Sequence, residues 1–183
     1  LGTGKIGRIM AELLSGFGMD IILYDPYPDT KWASSKGFRY VDVPSIFRES
    51  DVLSFHCPLT EQTRHIVNHD TMKTMKSDAI LINTGRGALI DSKALVHALK
   101  HNHIGGAALD VYEEESKYFF NDWSANVITD DVLARLMTFP NVLITSHQAF
   151  LTNNALANIA DVTLGNVKAF ENGTELVNEV KPV

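Results

Sequence analysis

The sequence predicts an α/β domain built on a doubly wound parallel sheet. Three observations carry that expectation. Apolar runs of strand length alternate with segments of helical period along most of the 183 residues. A glycine-rich turn, Gly2-Thr3-Gly4-Lys5-Ile6-Gly7, opens the first helical segment, and the next strand ends in an acid. Polar or charged groups follow the ends of three different later strands: Arg86, the segment from Asp110 to Glu115, and His147. In an open α/β sheet, strand ends of one polarity share an edge, and ligands bind there.

Taken in order, Ile6, Ile9, Met10, Leu13, Leu14 and Phe17 recur at helical spacing and predict a helix with that inner face, ended by Gly16 and Gly18. Asp20 to Asp25 reads as a strand, stopped by Pro26 and Pro28. Phe38 to Val41 is expected as an edge strand, Pro44 to Glu49 as a short helix, and Asp51 to Phe55 as a buried strand. Leu59 to Asn68 is a polar loop and Asp70 to Lys76 a short helix. The apolar run Ala79 to Ile82 is the next strand, and it delivers Asn83-Thr84-Gly85-Arg86-Gly87 as a turn. A helix starts near Asp91 or Ser92, with Ala94, Leu95, Ala98 and Leu99 inward. Ile104 to Leu109 is a strand with Gly105-Gly106 for close backbone approach. A polar, aromatic loop runs through Trp123 and Asn126, then a helix from Asp130 to Met137, then the last strand, Val142 to Thr145. The chain closes on a long helix with Leu156, Ile159, Ala160, Thr163, Leu164, Val167 and Phe170 on its inner face, stopped at Asn172-Gly173.

One element is missing from this plan. The glycine turn should follow a strand, and only Leu1 precedes it. In a doubly wound sheet that strand lies in the middle, so its neighbours would be left with unpaired edges. The sequence is therefore expected to be a piece truncated upstream.

Composition narrows the function. A net charge of −6 argues against nucleic acid or an anionic membrane as partner. No apolar run approaches the roughly 20 residues that span a bilayer. The lone Cys57 cannot form an intrachain disulfide, which fits a reducing, cytoplasmic compartment. No metal site is expected.

The glycine turn explains more. Gly2, Gly4 and Gly7 let backbone approach a pyrophosphate, while the helix N-terminus offers free N–H groups and a positive dipole end. Asp25 lies about 20 residues further on, where a carboxylate accepts hydrogen bonds from a ribose diol and repels a 2′-phosphate. This arrangement predicts a Rossmann-type dinucleotide-binding domain that takes NAD rather than NADP. An arginine, a carboxylate and a histidine beside a nicotinamide point to carbonyl reduction. The arginine grips a substrate carboxylate with two parallel hydrogen bonds. The histidine donates a proton to the carbonyl oxygen, and the carboxylate orients the imidazole.

These residues resemble the D-isomer-specific 2-hydroxyacid dehydrogenase family over essentially the whole chain, and within it the fermentative D-lactate branch. The resemblance rests on Gly2 to Gly7, Tyr24-Asp25-Pro26-Tyr27-Pro28, His56-Cys57-Pro58-Leu59-Thr60, Asn83 to Asp91, Leu109-Asp110-Val111-Tyr112-Glu113 and His147-Gln148-Ala149-Phe150-Leu151-Thr152. The Tyr118-Phe119-Phe120 loop and the His-Gln-Ala-Phe run point to the lactate branch. The resemblance implies that Arg86 holds the substrate carboxylate, that Glu115 pairs with the histidine, and that His147 is the proton donor. Glu113 and Glu114 stand close to Glu115 and compete with it on spacing alone. Lys5 and Ile6 then fall in the pyrophosphate loop, and Cys57 and Pro58 on the adenine and ribose side, Cys57 as a small packing residue rather than a nucleophile. Thr63 also reaches the cofactor, and Thr84, Gly85, Arg86 and Asp110 lie against the nicotinamide end.

The family implies two domains. Residues 1–150 would be the dinucleotide-binding domain, and 151–183 a helix and tail returning towards a substrate domain mostly absent from this chain. A homodimer acting on a small 2-oxo or 2-hydroxy acid is implied, with pyruvate reduction to D-lactate as the first expectation. The alternatives are a dehydrogenase for another D-2-hydroxy acid, or a non-catalytic NAD-binding fragment or corepressor-like module. This chain alone is not expected to close a cleft over its substrate.

Overall fold

The computed structural model describes residues 1–181. The chain divides into two compact units, one from Leu1 to His147 and one starting at Gln148.

The first unit runs α1 (Lys5–Ser15), β1 (Ile22–Leu23), α2 (Thr30–Ser35), β2 (Arg39–Tyr40), α3 (Val43–Glu49), β3 (Val52–Phe55), α4 (His69–Lys73) and β4 (Ile80–Asn83). A 3-10 turn (Gly87–Leu89) follows, then α5 (Ser92–Lys100), β5 (Gly106–Leu109), α6 (Glu115–Tyr118), α7 (Asp131–Leu136) and β6 (Val142–Ile144). Every strand pairing is parallel, as alternating strands and helices require. The fold is a parallel sheet with helices, Rossmann-like.

The sheet comes in two pieces, β3-β4-β5-β6 and the pair β1-β2. Leu1 and Gly2 bridge them. The N–H of Gly2 donates to the Tyr24 carbonyl at 2.8 Å, and that of His56 to the Leu1 carbonyl at 2.8 Å. A groove of about 560 Å³ lies between the pieces, with Leu1, Ala11, Leu23 and Leu53 among its lining.

Register sets the working edge. Phe55 pairs with Asn83, Asn83 with Leu109, and Leu109 with Ile144. Four strands thus end level, and the turns after them open on one edge. Beneath them lies the main core, with Phe55, Leu81, Leu89, Leu95, Ile104 and Leu136 nearly or fully buried. Carboxylates cap the helices that hold these turns in place. Asp91 accepts from the N–H groups of Lys93 and Ala94 at the start of α5. Asp130 accepts from those of Val132 and Leu133 at the start of α7.

Several elements differ from the sequence expectation. The strand expected over Asp20 to Asp25 is two residues long; among the described residues the one strand bonded to it is the equally short β2. The loop expected through Asn126 contains the short helix α6, whose first residue is Glu115. In α1 only Gly7 and Ala11 are buried, while Ile9 and Leu13, and Phe17 just after the helix, stay 54–82% exposed. The helical period is real, but the stripe it marks is not a core face of this unit.

The second unit is dominated by α8 (Asn153–Glu171), with Thr152 accepting from the Ala155 N–H at one end and Asn172 followed by Gly173 at the other. None of its residues is buried, so the expected inner face, Leu156 to Phe170, is open to solvent. No helix among the described residues is long and apolar enough to cross a membrane.

Candidate active site

Arg86 is set by a buried side chain at the end of the strand before it. Asn83, fully buried at the end of β4, donates from Nδ2 to the Arg86 carbonyl at 2.9 Å and accepts from the Gly85 N–H at 3.0 Å. An amide has both functions, which is why asparagine suits a turn that must be closed from inside. The Arg86 guanidinium is exposed, and among the described residues its one hydrogen bond is from Nη1 to the Gly85 carbonyl at 2.8 Å. The following Gly87 lies against the backbone of the next turn: a Cβ there would stand 2.1 Å from the carbonyl carbon of Tyr112. Thr84 is exposed and Gly85 half-buried beside the arginine.

The turn after β5 carries the carboxylate. Glu115 accepts from the Tyr112 N–H at 2.9 Å with Oε2, while Oε1 meets His147 Nδ1 at 2.9 Å. Both side chains keep solvent contact, 19% and 33% exposed. His147 is held after β6 by an unusual backbone, since Ser146 and His147 both have φ near +55°. Left-handed residues other than glycine are costly and persist only where surroundings enforce them. The enforcing contacts come from Asp110, which is nearly buried. Its carbonyl accepts from the His147 N–H, and its carboxylate accepts from the Thr145 hydroxyl at 2.6 Å. Asp110 therefore positions the histidine from below. Phe120 flanks the imidazole, ring centroids 5.9 Å apart.

Spacing leaves Glu113, Glu114 and Glu115 in competition, and the structure separates them. Glu115 reaches His147, whereas Glu113 turns to His65, at 2.6 Å from Nε2. The structure thus brings Glu115 and His147 together. Arg86 stands on the same sheet edge and shares no hydrogen bond or ion pair with either of them among the described residues.

At the glycine turn, Gly2 has φ +92° and would drive a Cβ to 2.6 Å from the Cys57 nitrogen. A Cβ on Gly7 would meet the Gly2 carbonyl oxygen at 2.0 Å, so helix and turn pack backbone to backbone. Gly4, the N-cap of α1, has open space around it and no side chain capping the helix. Lys5 and Ile6 are exposed in the first turn. An uncapped, open helix N-terminus beside a tight glycine turn fits a pyrophosphate. Asp25 sits at the end of β1 and accepts from the Thr3 N–H at 2.7 Å and the Tyr27 N–H at 2.9 Å. Burial works against its charge, but these N–H groups, the Thr3 hydroxyl and Arg8 outweigh it and hold the carboxyl below its ordinary range. It is therefore an acceptor, as a ribose diol needs.

Cys57 is half-buried, and burial pushes its thiol up, so it is protonated and a poor nucleophile. Pro58 carries the carbonyl that accepts from the Thr63 hydroxyl at 2.7 Å, which folds the loop onto itself. The residues that sequence reasoning passed over are Asn83, Thr145, His65 and the pair Tyr112–Asp130, whose hydroxyl-to-carboxylate bond is 2.8 Å. For Thr145 and His65 the signal is a partner tens of positions away, which no local pattern contains.

Residues 1–149 match the family model described as D-isomer specific 2-hydroxyacid dehydrogenase, NAD binding domain. The D-lactate dehydrogenase of Escherichia coli is 49% identical over 180 residues, covering 98% of this chain and 54% of that protein. The crystal structure of a D-lactate dehydrogenase from Treponema pallidum superposes with a TM-score of 0.91 at 39% identity, over 99% of this chain and 54% of that one. The D-lactate dehydrogenase of Lactobacillus jensenii, solved with NAD+, gives 0.88 at 32% identity, over 99% and 54%. The chain spans about half the length of the curated relatives it matches.

Proposed function

The chain belongs to the D-isomer-specific 2-hydroxyacid dehydrogenase family, and from that premise we propose that its full-length protein reduces pyruvate to D-lactate with NADH. The observation that carries the reading is the Glu115–His147 pair, 2.9 Å apart on the sheet edge that also bears Arg86. When bound, NADH supplies the hydride. Gly2, Gly4, Lys5, Ile6 and Gly7 would hold its pyrophosphate and Asp25 its adenosine ribose. Cys57, Pro58 and Thr63 would lie along the adenine side, with Thr84, Gly85, Arg86 and Asp110 at the nicotinamide end.

The chain's own groups then divide the work. Arg86 presents a fork of N–H donors that matches a carboxylate in geometry and charge, and so orients the 2-oxo acid. Glu115 takes the Nδ1 proton of His147 as its hydrogen-bond partner, which fixes the ring and leaves Nε2 as the donating atom. As negative charge develops on the carbonyl oxygen, Nε2–H gives up its proton and the ring is left neutral with hydrogen on Nδ1. The second Glu115 oxygen is bound by the Tyr112 N–H, so the carboxylate does not swing away.

Residues 1–150 act as the dinucleotide domain in this reading, with 151–183 returning to a substrate domain. The protein works as a homodimer in the cytoplasm, with no nucleic acid or membrane partner. The decisive measurement is NADH oxidation by the full-length protein on pyruvate and on a panel of bulkier 2-oxo acids, with the handedness of the product checked. D-lactate from pyruvate is expected. Turnover confined to a bulkier acid keeps the mechanism and changes the substrate. NADH binding without turnover on any acid overturns the enzymatic reading.

A further inference from the structure

His65 lies in the polar loop before α4, and nothing in the reduction described above uses it. Its backbone is left-handed, at φ +50°, a conformation a histidine holds only under constraint. Three contacts supply the constraint. Its N–H donates to the Ala88 carbonyl at 2.8 Å, its carbonyl accepts from Asn68 Nδ2 at 3.0 Å, and its Nε2 meets Glu113 Oε1 at 2.6 Å. The exposed Arg64 reaches the same oxygen at 3.4 Å.

The contacts go to two different turns. The backbone of 65–67 is zipped along the segment that follows Arg86: the Val67 N–H donates to the Leu89 carbonyl at 3.1 Å, and the Asp91 N–H to that of Val67 at 2.9 Å. The side chain goes to the turn that ends in Glu115. Those two turns touch through Gly87, whose missing Cβ lets it rest on Tyr112 and Glu113. That contact is backbone against backbone, and the base of the two turns is joined by the Asp110 N–H donating to the Asn83 carbonyl at 2.9 Å. The histidine–carboxylate bond adds a directional tie further out, nearer the tips of the turns.

We infer that His65 and Glu113 form a strut that sets the spacing between Arg86 and the Glu115–His147 pair, a positioning role whose kinetic part rests on the function proposed above. In the function proposed above, a substrate's carboxylate meets the arginine while its adjacent carbonyl meets the imidazole. Fixing the spacing between them orients both ends at once, and small misplacements of reacting groups are costly to rate.

The test compares His65→Ala, His65→Gln, Glu113→Ala and the double variant His65→Ala with Glu113→Ala in the full-length protein, with pyruvate and NADH as probes. His65→Ala lowers kcat/KM for pyruvate about 10- to 100-fold, through both kcat and KM, while the Kd for NADH stays within about twofold. Glutamine at 65 can donate to Glu113 and recovers most of the loss, and the double variant is no worse than His65→Ala alone. Amide exchange of Val67 and Tyr112 quickens in His65→Ala, because the first reports the segment zipped to Leu89 and the second the turn closed by Glu115, one at each end of the strut. Should His65→Ala not fold, Glu113→Ala removes the same bond, leaves the backbone of 65–68 untouched, and is expected to show the same loss in kcat/KM with NADH binding kept. Unchanged kinetics with unchanged exchange overturns the strut, and so does a loss matched by weaker NADH binding, which a general structural role produces. Where the wild-type protein turns over no 2-oxo acid, the proposed function fails and exchange alone decides the strut: faster at Val67 and Tyr112 supports it, unchanged refutes it.

Discussion

Arg86 shows how a single residue type is tied to its task. A lysine in its place keeps the charge and loses the planar fork, so one of two parallel hydrogen bonds to a carboxylate is gone. A charge-assisted bond of that kind contributes about 2–3 kcal/mol, or roughly 30- to 150-fold in rate. Arg86→Lys is therefore expected to lose that much kcat/KM for pyruvate with little change in NADH affinity; steady-state kinetics and NADH titration check it. Equal activity would remove Arg86 from the substrate site. The triplet of acids after Tyr112 makes the complementary point. Three identical side chains sit within three positions, and their partners, His65 for Glu113 and His147 for Glu115, tell them apart.

At the scale of elements, the packing of α4 against α5 carries a pH dependence of its own. His97 lies on α5 and His101 one turn on at its C-terminal end, with ring centroids 4.1 Å apart, and His69 of α4 meets His97 at 4.6 Å. His103 closes the group at 5.8 Å from His97. Partial withdrawal from water, then the charges of His101, His69, His103 and Lys73, hold the His97 imidazole below its ordinary value of 6.5. The nearby acid Asp70 is itself paired with Lys73. Because the folded-state value is lowered, the unfolded chain takes up the proton first as pH falls. The stability His97 permits is therefore complete above that range and lost as pH drops through 6.5 towards the folded value. The urea midpoint of the wild type is expected to fall as pH is lowered from about 7.5 to about 5.5, and His97→Gln to flatten that dependence. Parallel slopes for the two proteins would refute the account.

For the molecule as a whole, the residues proposed to hold the dinucleotide and those proposed to react sit in one compact unit, Leu1 to His147, yet the chain covers about half of its relatives' length. Water exclusion by domain closure protects hydride transfer and completes many such sites. Residues 1–183 expressed alone are thus expected to bind NADH and to turn over pyruvate at least about 100-fold more slowly than the full-length protein. Parallel titrations and rate measurements on the two settle it. Equal rates would place the whole catalytic apparatus within this chain.

The sequence by itself determined the α/β class, the glycine turn with its distant acid, the run of strands along the chain and the three strand ends followed by polar or charged groups. Those features are local: period, capping residues and spacing over about 20 positions at most. Spacing alone left three glutamates open and the family resemblance implied Glu115; tertiary structure decided that Glu113 turns to His65, that Asn83 closes the arginine turn from within, and that Asp110 holds His147 in a left-handed backbone. It also decided that the apolar stripes of α1 and α8 are not core faces among the described residues. A hydrophobic period states that a face is apolar, not what covers it. Partners separated by tens of residues are chosen by strand register and by the satisfaction of buried polar groups, and both exist only once the chain has folded.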